Sequence, residues 1–239
     1  VCVLDPKGEN ATLTAERRGH GEGIPAGGLG QEIFVIDPFG KAKVRDGYRA
    51  GFNPIASLDP RSKMFVDHCY SIADALVLAN AADANDHWNS TARLVLRGFV
   101  AWVASSSDGP RDLVEVRRLL HLPRDDFDDL IDKMIDHPER ASGVPAEMGG
   151  ALQGMGDDER GSVLSTVRQN VLFLSSDPMA ECLSDTTRQP DLKAWKFGGQ
   201  SVYLCLPASS MALHARFFRL FINRIFSAVE ADLTKPDTP

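Results

Sequence analysis

Apolar residues follow two different periods along this chain, and the changes of period divide it into three stretches. Residues 1–4 form a short continuous apolar run that stops at Asp5-Pro6-Lys7-Gly8-Glu9. Such a run predicts a strand buried on both faces of a parallel sheet. A short helix is expected over 12–18 and a glycine-rich loop over 19–30. A second strand follows over 32–36 and closes on Asp37-Pro38-Phe39-Gly40. Two strands, each ended by Asp-Pro and joined through a helix and a loop, read as one βαβ unit.

The character changes after Phe52-Asn53-Pro54, and from Pro60 to about Asp185 every periodic segment is helical. Asp59-Pro60 offers an acidic N-cap and a proline at the first helical position. Phe65, Cys69, Ile72 and Leu76 then share one stripe. The next helix opens near Asp86 and carries Trp88, Ala92, Val95, Phe99 and Trp102. It is apolar on most sides over 94–104, which predicts the central helix of a bundle. A shorter helix is expected over 112–121. After Pro123, Phe127, Leu130, Ile131, Met134 and Ile135 form one face, while Asp125, Asp128, Asp129, Asp132 and Asp136 form the other. Another amphipathic helix, over 162–174, aligns Val163, Val167, Asn170 and Leu174.

Strand character returns over 200–206 and stops at Pro207. Ser209 or Ser210 is then placed to cap a long helix. That helix carries Met211, Ala215, Phe218, Ile222, Ile225 and Val229, and is expected to lie flat on a sheet. Residues 235–239 read as a solvated tail or linker. The expected fold class is α/β plus all-α: residues 1–59 and 196–239 build one sheet domain, and 60–195 form a helical domain inserted between its strands. The chain opens at Val1 inside a strand-like run, so it is expected to be a fragment of a longer protein.

Composition narrows this picture. A chain of 239 residues, 43% hydrophobic and 25% charged, can bury a sizeable core without disulfides or metals. A net charge of -7 argues against a generic nucleic-acid coat, though not against a local basic patch. Cys2, Cys69, Cys182 and Cys205 are widely spaced and form no CxxC pair, so they are expected to be buried, reduced thiols rather than zinc ligands. The longest apolar run, 94–104, is interrupted by Arg97 and too short to span a bilayer. No membrane span is expected within the chain.

Candidate chemistry concentrates at the strand ends. The glycine loop lacks Gly-Lys-Ser/Thr and is followed by a strand rather than a helix, so it is neither a P-loop nor a dinucleotide turn. Asp5, Lys7 and Glu9 lie at the carboxyl end of a predicted parallel strand, where ligands of open α/β sheets bind. They read either as the edge of a nucleotide site, with an acid orienting water or Mg²⁺, or as a charged strand-to-helix turn. Asp37 stands in the same position on the second strand. The aspartates of 125–136 suit a basic partner or a solvated face. Trp88 suits base stacking or the core. Arg216, Arg219 and Arg224 suit phosphate, a neighbouring subunit or ordinary surface charge.

Five segments, in order, together resemble one family. Val3-Leu4-Asp5-Pro6-Lys7-Gly8-Glu9-Asn10 with Leu13-Thr14-Ala15 is similar to the strand that follows the P-loop helix in TraG/TraD-type coupling proteins. Val35-Ile36-Asp37-Pro38-Phe39-Gly40, Phe52-Asn53-Pro54-Ile55, Asp86-His87-Trp88 with Ala92-Arg93, and Ser201-Val202-Tyr203-Leu204-Cys205-Leu206-Pro207 resemble successive later segments of that family. The resemblance implies a RecA-like P-loop NTPase sheet with an inserted all-α domain. It further implies a hexameric ATPase at the cytoplasmic face of the bacterial inner membrane, anchored outside this chain. Its implied partners are relaxase-bound single-stranded DNA (the relaxosome) or effector proteins, and the ATPases of a type IV secretion channel. The implied cofactors, ATP and Mg²⁺, belong to the parent protein. Walker A is expected before Val1 and Walker B after Pro239, so neither cofactor nor activity is expected of this stretch alone. Asp5, Lys7 and Glu9 are the implied catalytic-edge residues, and the all-α domain the implied substrate-docking part. Two other readings stay open: a non-enzymatic helical adaptor on a degenerate sheet, with the acidic helix near Asp128 as its interaction face, and a related hexameric DNA motor of another system.

Overall fold

A computed structural model describes residues 1–78 and 86–231. The expected tail over 235–239 lies outside the described residues. Residues group into two compact units. The first comprises Val1–Asn53, Ser176–Ala215 and Arg224–Pro239; the second comprises Pro54–Ser175 and Arg216–Asn223.

The first unit is built on a parallel three-stranded sheet of β1 (Cys2–Leu4), β2 (Glu32–Ile36) and β3 (Gln200–Leu204), in the order β1-β3-β2. β3 is central and buried at all five positions, the polar Gln200 and Ser201 as well as Val202, Tyr203 and Leu204. β1 is an edge strand, and the expectation that it is buried on both faces needs correction: Cys2 and Leu4 are exposed, and only Val3 is half-buried. Pairing on one side leaves its apolar residues uncovered. Cys2 is correspondingly exposed, whereas Cys69, Cys182 and Cys205 are buried.

Helix α1 (Glu9–Arg18) packs on the sheet through Ala11 and Ala15, against Ile33, Val35 and Tyr203. It starts three residues earlier than its apolar period predicts, because a loop carboxylate supplies its cap. The glycine loop after it closes on itself. Leu29, Gly30 and Gln31 donate their N–H groups to the carbonyls of Arg17, Gly19 and Arg18. Gly21 and Gly28 cross so closely that a β-carbon on either would overlap the other strand of the loop.

The second unit contains no strand among its described residues. α2 (Phe65–Leu76) precedes α3 (Asp86–Ala104), α4 (Leu113–Leu120), α5 (Arg124–Ile135), α6 (Val144–Gly154) and α7 (Asp157–Asn170). α3 packs against α2, α4, α6 and α7, and buries Ala92, Leu96, Phe99, Val100 and Ala101 completely. Asp59 does not start α2. Its carboxylate accepts the Arg61 N–H at 3.0 Å in a local turn, and the helix begins at Phe65. The segment expected as one helix over 162–174 is α7, which begins earlier at Asp157, followed by a separate 3-10 turn, Leu172–Ser175. α8 (Asp177–Ser184) groups with the first unit. α9 (Met211–Ala231) follows a 3-10 turn, Ala208–Ser210, and its turns Arg216–Asn223 group with the second unit.

Candidate functional site

The three strand ends form a row along the carboxyl edge of the sheet. Leu4, Leu204 and Ile36 share one register position, so Asp5, Cys205 and Asp37 come next side by side. Asp5 is buried. Its Oδ2 accepts the Ala11 N–H at 2.8 Å and its Oδ1 accepts Asn10 Nδ2 at 3.4 Å. Ala11 is the third residue of α1, so Asp5 satisfies one of the donors that a helix leaves unpaired at its start. It also sets a negative charge at the positive end of the helix dipole.

Asp37 closes the neighbouring turn in the same way. Its two carboxylate oxygens accept the N–H groups of Lys41 at 2.9 Å and Ala42 at 2.7 Å, and Arg49 stands 3.7 Å away. The two turns interlock at Gly8, which has φ 70; a β-carbon there would stand 2.6 Å from the Ala42 nitrogen. Only glycine combines that backbone conformation with that approach. Thr12 clasps both turns, donating to the Gly8 carbonyl at 2.6 Å and accepting the Lys43 N–H at 2.9 Å. Burial, then the Asp37 and Asp5 carboxylates, push the Cys205 thiol up, so it stays protonated at neutral pH.

Lys7 and Glu9 take no part in this closure. Both are exposed and stand 3.9 Å apart across solvent. The structure therefore separates the three residues that the sequence groups: Asp5 turns inward, Lys7 and Glu9 outward. A Mg²⁺ ion needs carboxylate oxygens with lone pairs to spare. Asp5 and Asp37 are engaged by backbone N–H groups. Among the described residues, no group of three or more His, Cys, Asp or Glu has the geometry of a metal site. The residues present do not fit a Mg²⁺ site by themselves.

Arg216 and Arg219 are likewise engaged. Arg216 Nε donates to the Leu76 carbonyl at 2.8 Å, and its NH2 donates to Asn170 Oδ1 at 3.0 Å. Arg219 donates to the Val77 carbonyl at 3.1 Å and pairs with Asp74. Together they cap the carboxyl end of α2, where cations offset the helix dipole. Burial lowers the Arg216 pKa. Arg224 is buried rather than on the surface. Trp88 is half-buried. Asp128 is paired with Arg160 and lies 3.9 Å from Arg124, so part of the acidic face of α5 is already neutralised.

Sequence reading missed the partners of the Asn-Pro segment. Phe52 N–H donates to the Cys182 carbonyl at 2.8 Å, and Asn53 N–H donates to Gln189 Oε1 at 2.8 Å. Arg188 donates to the Ile33 carbonyl at 2.7 Å and lies over the Phe34 ring, 4.4 Å from its centre. Nothing local marks Arg188 or Gln189, because their partners lie more than a hundred residues away.

The match to known proteins decides the family. A model of the type IV secretory system conjugative DNA transfer family matches residues 1–238. The chain belongs to this type IV coupling protein family. Its fold is shared with solved structures of the bacterial conjugative coupling protein TrwB. The TrwBdeltaN70 form in complex with sulphate is 14% identical with a TM-score of 0.62, covering 99% of this chain and 47% of that one. The unbound monoclinic form gives 14% identity and a TM-score of 0.61, covering 99% and 46%. TrwB in complex with ADP and Mg²⁺ gives 13% and 0.60, with 99% and 47% covered. The coupling-family chain therefore spans less than half the length of these structures. A search among curated proteins finds no match.

Proposed function

We propose that this chain is the central portion of an ATP-driven coupling protein that hands conjugative DNA or effector proteins to a type IV secretion channel. The family match over residues 1–238 carries this reading. The parallel sheet is then part of a RecA-like nucleotide-binding domain, assembled from residues 1–59 and 196–239. Residues 60–195 are its inserted all-α domain, which recognises the cargo. The parent protein is a hexamer at the cytoplasmic face of the bacterial inner membrane. It binds ATP and Mg²⁺, and its partners are relaxase-bound single-stranded DNA and the channel's own ATPases. The nucleotide complexes of TrwB support a nucleotide-driven parent. The carboxylates at the sheet edge, engaged by backbone N–H groups, fit a supporting role for Asp5, with phosphate chemistry supplied by residues beyond this stretch.

The test compares this chain with a version extended at both ends. ATP hydrolysis and single-stranded DNA binding are expected in the extended protein only. A coding sequence upstream of Val1 with no G-x-x-x-x-G-K-S/T within about one βαβ unit would sink the proposal. The adaptor reading draws on a separate observation: the strand-end acids serve backbone caps, whereas cavities open in the helical unit. Turnover by the extended protein would count against that reading.

A further inference from the structure

The helical unit contains a cleft of about 690 Å³ between the ends of α3 and α5 and the flank of α4. Its floor is Trp102, which is 7% exposed. The Arg140 guanidinium lies over this indole, 3.6 Å from the ring centre. One Arg140 nitrogen donates to the Trp102 carbonyl at 2.8 Å and to Ser105 Oγ at 3.3 Å. The guanidinium is thus held flat by stacking and by two acceptors on one side. Burial lowers the Arg140 pKa, as expected of a cation whose solvation is only partly replaced.

The backbone around Arg140 is held as deliberately as its side chain. Ala141 and Ser142 have φ 50 and φ 56, followed by Gly143 at φ 82. Left-handed conformations on non-glycine residues persist only where the surroundings impose them, and they cluster at binding and switch sites. Lys133 and His137 reach the same cleft from one side of α5 and the turn after it. The Lys133 ammonium has no hydrogen bond or ion pair among the described residues. Arg118 also lines the cleft, but its Nε and NH2 are both given to Glu115 at 2.7 Å. Leu119, Leu130 and Pro110 complete the wall with apolar surface.

From this arrangement we infer that the Trp102–Arg140 cleft binds a single carboxylate carried on an apolar peptide stem, received by Lys133 and Arg140. The charge count selects the ligand. Arg118, Lys133 and Arg140 face Asp108 and Glu115 in the cleft lining, and these cations and carboxylates together leave about one positive charge to be neutralised. One carboxylate does so; a phosphate dianion would overshoot against Asp108 and Glu115. A nucleic-acid strand is disfavoured as well, because Asp129, Asp132 and Asp136 stand on α5 and just past its end. Repeated phosphates would meet those acids on leaving the cleft. The apolar wall suits the carbon stem next to the charge, and a flat, pre-held guanidinium is suited to a carboxylate plane. The carboxylate belongs either to a chain terminus or to an acidic side chain. This site deepens the cargo-docking reading of the helical unit and rests on it.

The test uses the full chain and three short peptides: acetyl-Ala-Ala-Leu with a free carboxylate, the same peptide amidated, and acetyl-Ala-Glu-Leu-amide. Binding is read from the Trp102 indole signal in NMR titrations. A free-carboxylate peptide should shift that signal, and the fully amidated one should bind roughly tenfold more weakly or not at all. Binding by the glutamate peptide in place of the first assigns the carboxylate to a side chain rather than a terminus. Arg140→Gln should weaken binding by roughly tenfold. Lys133→Gln, on an exposed position that leaves the fold intact, should weaken it as well. Equal binding of charged and amidated peptides, no Trp102 response to any of them, or wild-type affinity in Lys133→Gln would each overturn the cleft. The docking reading has its own measurement: capture of cargo by the full chain. Capture that persists in Lys133→Gln while the peptides fail to bind would remove the cleft and leave docking standing.

Discussion

The two units of this chain are held together by different means. In the sheet unit, closure is polar and local to the strand ends. Two buried carboxylates cap backbone N–H groups, one glycine lets two turns touch, and one threonine joins them. In the helical unit, closure is apolar and distributed. α3 is buried along most of its length, and its Phe99 stacks on Phe127 with ring centres 5.8 Å apart. A closure made of a few directed contacts is sensitive to single atoms at those contacts. One made of packing is sensitive to volume anywhere in the core. Apart from the segment around Trp88 on α3, the family-like segments fall mainly on the first kind, because directed contacts demand particular residue types, whereas a packed core accepts many apolar solutions.

The comparison is broken most forcefully at Phe99. Phe99→Ala should cost about 3–5 kcal/mol in urea unfolding, from lost burial plus an unfilled cavity. The buried Cys69 thiol of the helical unit should then label at lower urea than the buried Cys182 thiol of the sheet unit. Simultaneous labelling of both would mean that the units do not open separately.

Gly8→Ala tests the sheet unit. A methyl group there meets both a left-handed backbone and the Ala42 nitrogen at 2.6 Å, so a loss of about 3 kcal/mol is expected. Here Cys182 should label first. A loss under about 1 kcal/mol would show that the two turns separate cheaply, and that Gly8 is not what joins them.

Alkaline pH acts on the sheet unit through Cys182. Burial pushes this thiol up to about 12, above its ordinary 9.0. The folded state prefers the neutral thiol, so the stability it contributes is complete below pH 9 and is lost as pH rises toward 12. Between those values stability should fall by up to about 1.4 kcal/mol per pH unit from this group. Cys182→Ala should make that part of the profile shallower but not level, because the buried Cys205 thiol is pushed up as well; an unchanged slope would assign the loss elsewhere.

The smallest effect sharpens the contrast between buried and exposed polar contacts. Asp112 accepts the Glu115 N–H at 2.8 Å as the cap of α4 and is nearly buried, so Asp112→Ala should cost about 1 kcal/mol. Lys7→Ala, which removes only an exposed pair, should leave the urea midpoint where it is. A measurable loss at Lys7 would point to a folded-state contact beyond Glu9.

Much of this was legible in the chain. Period alone placed β2, β3, the burial of α3 and the change of character near Asn53, because buried strands and amphipathic helices leave repeating patterns. The start of α2 was misjudged because Asp59-Pro60 satisfies a turn as readily as a helix cap. α6 went unmarked because Gly149, Gly150 and Gly154 dilute its stripe, although Gly143-Val144-Pro145 was an available start signal. Family membership was readable from motifs such as Asp5-Pro6-Lys7-Gly8-Glu9, in which Asp5 and Gly8 answer local backbone demands. What those residues do was decided only in three dimensions. Asp5 turns in to α1 while Lys7 and Glu9 turn out. Arg216 and Arg219 reach carbonyls about 140 residues earlier, and Arg140 lies on Trp102. Sequence records local periodicity and local chemistry; a charged side chain's partner is set by which distant segments the core brings within hydrogen-bonding distance.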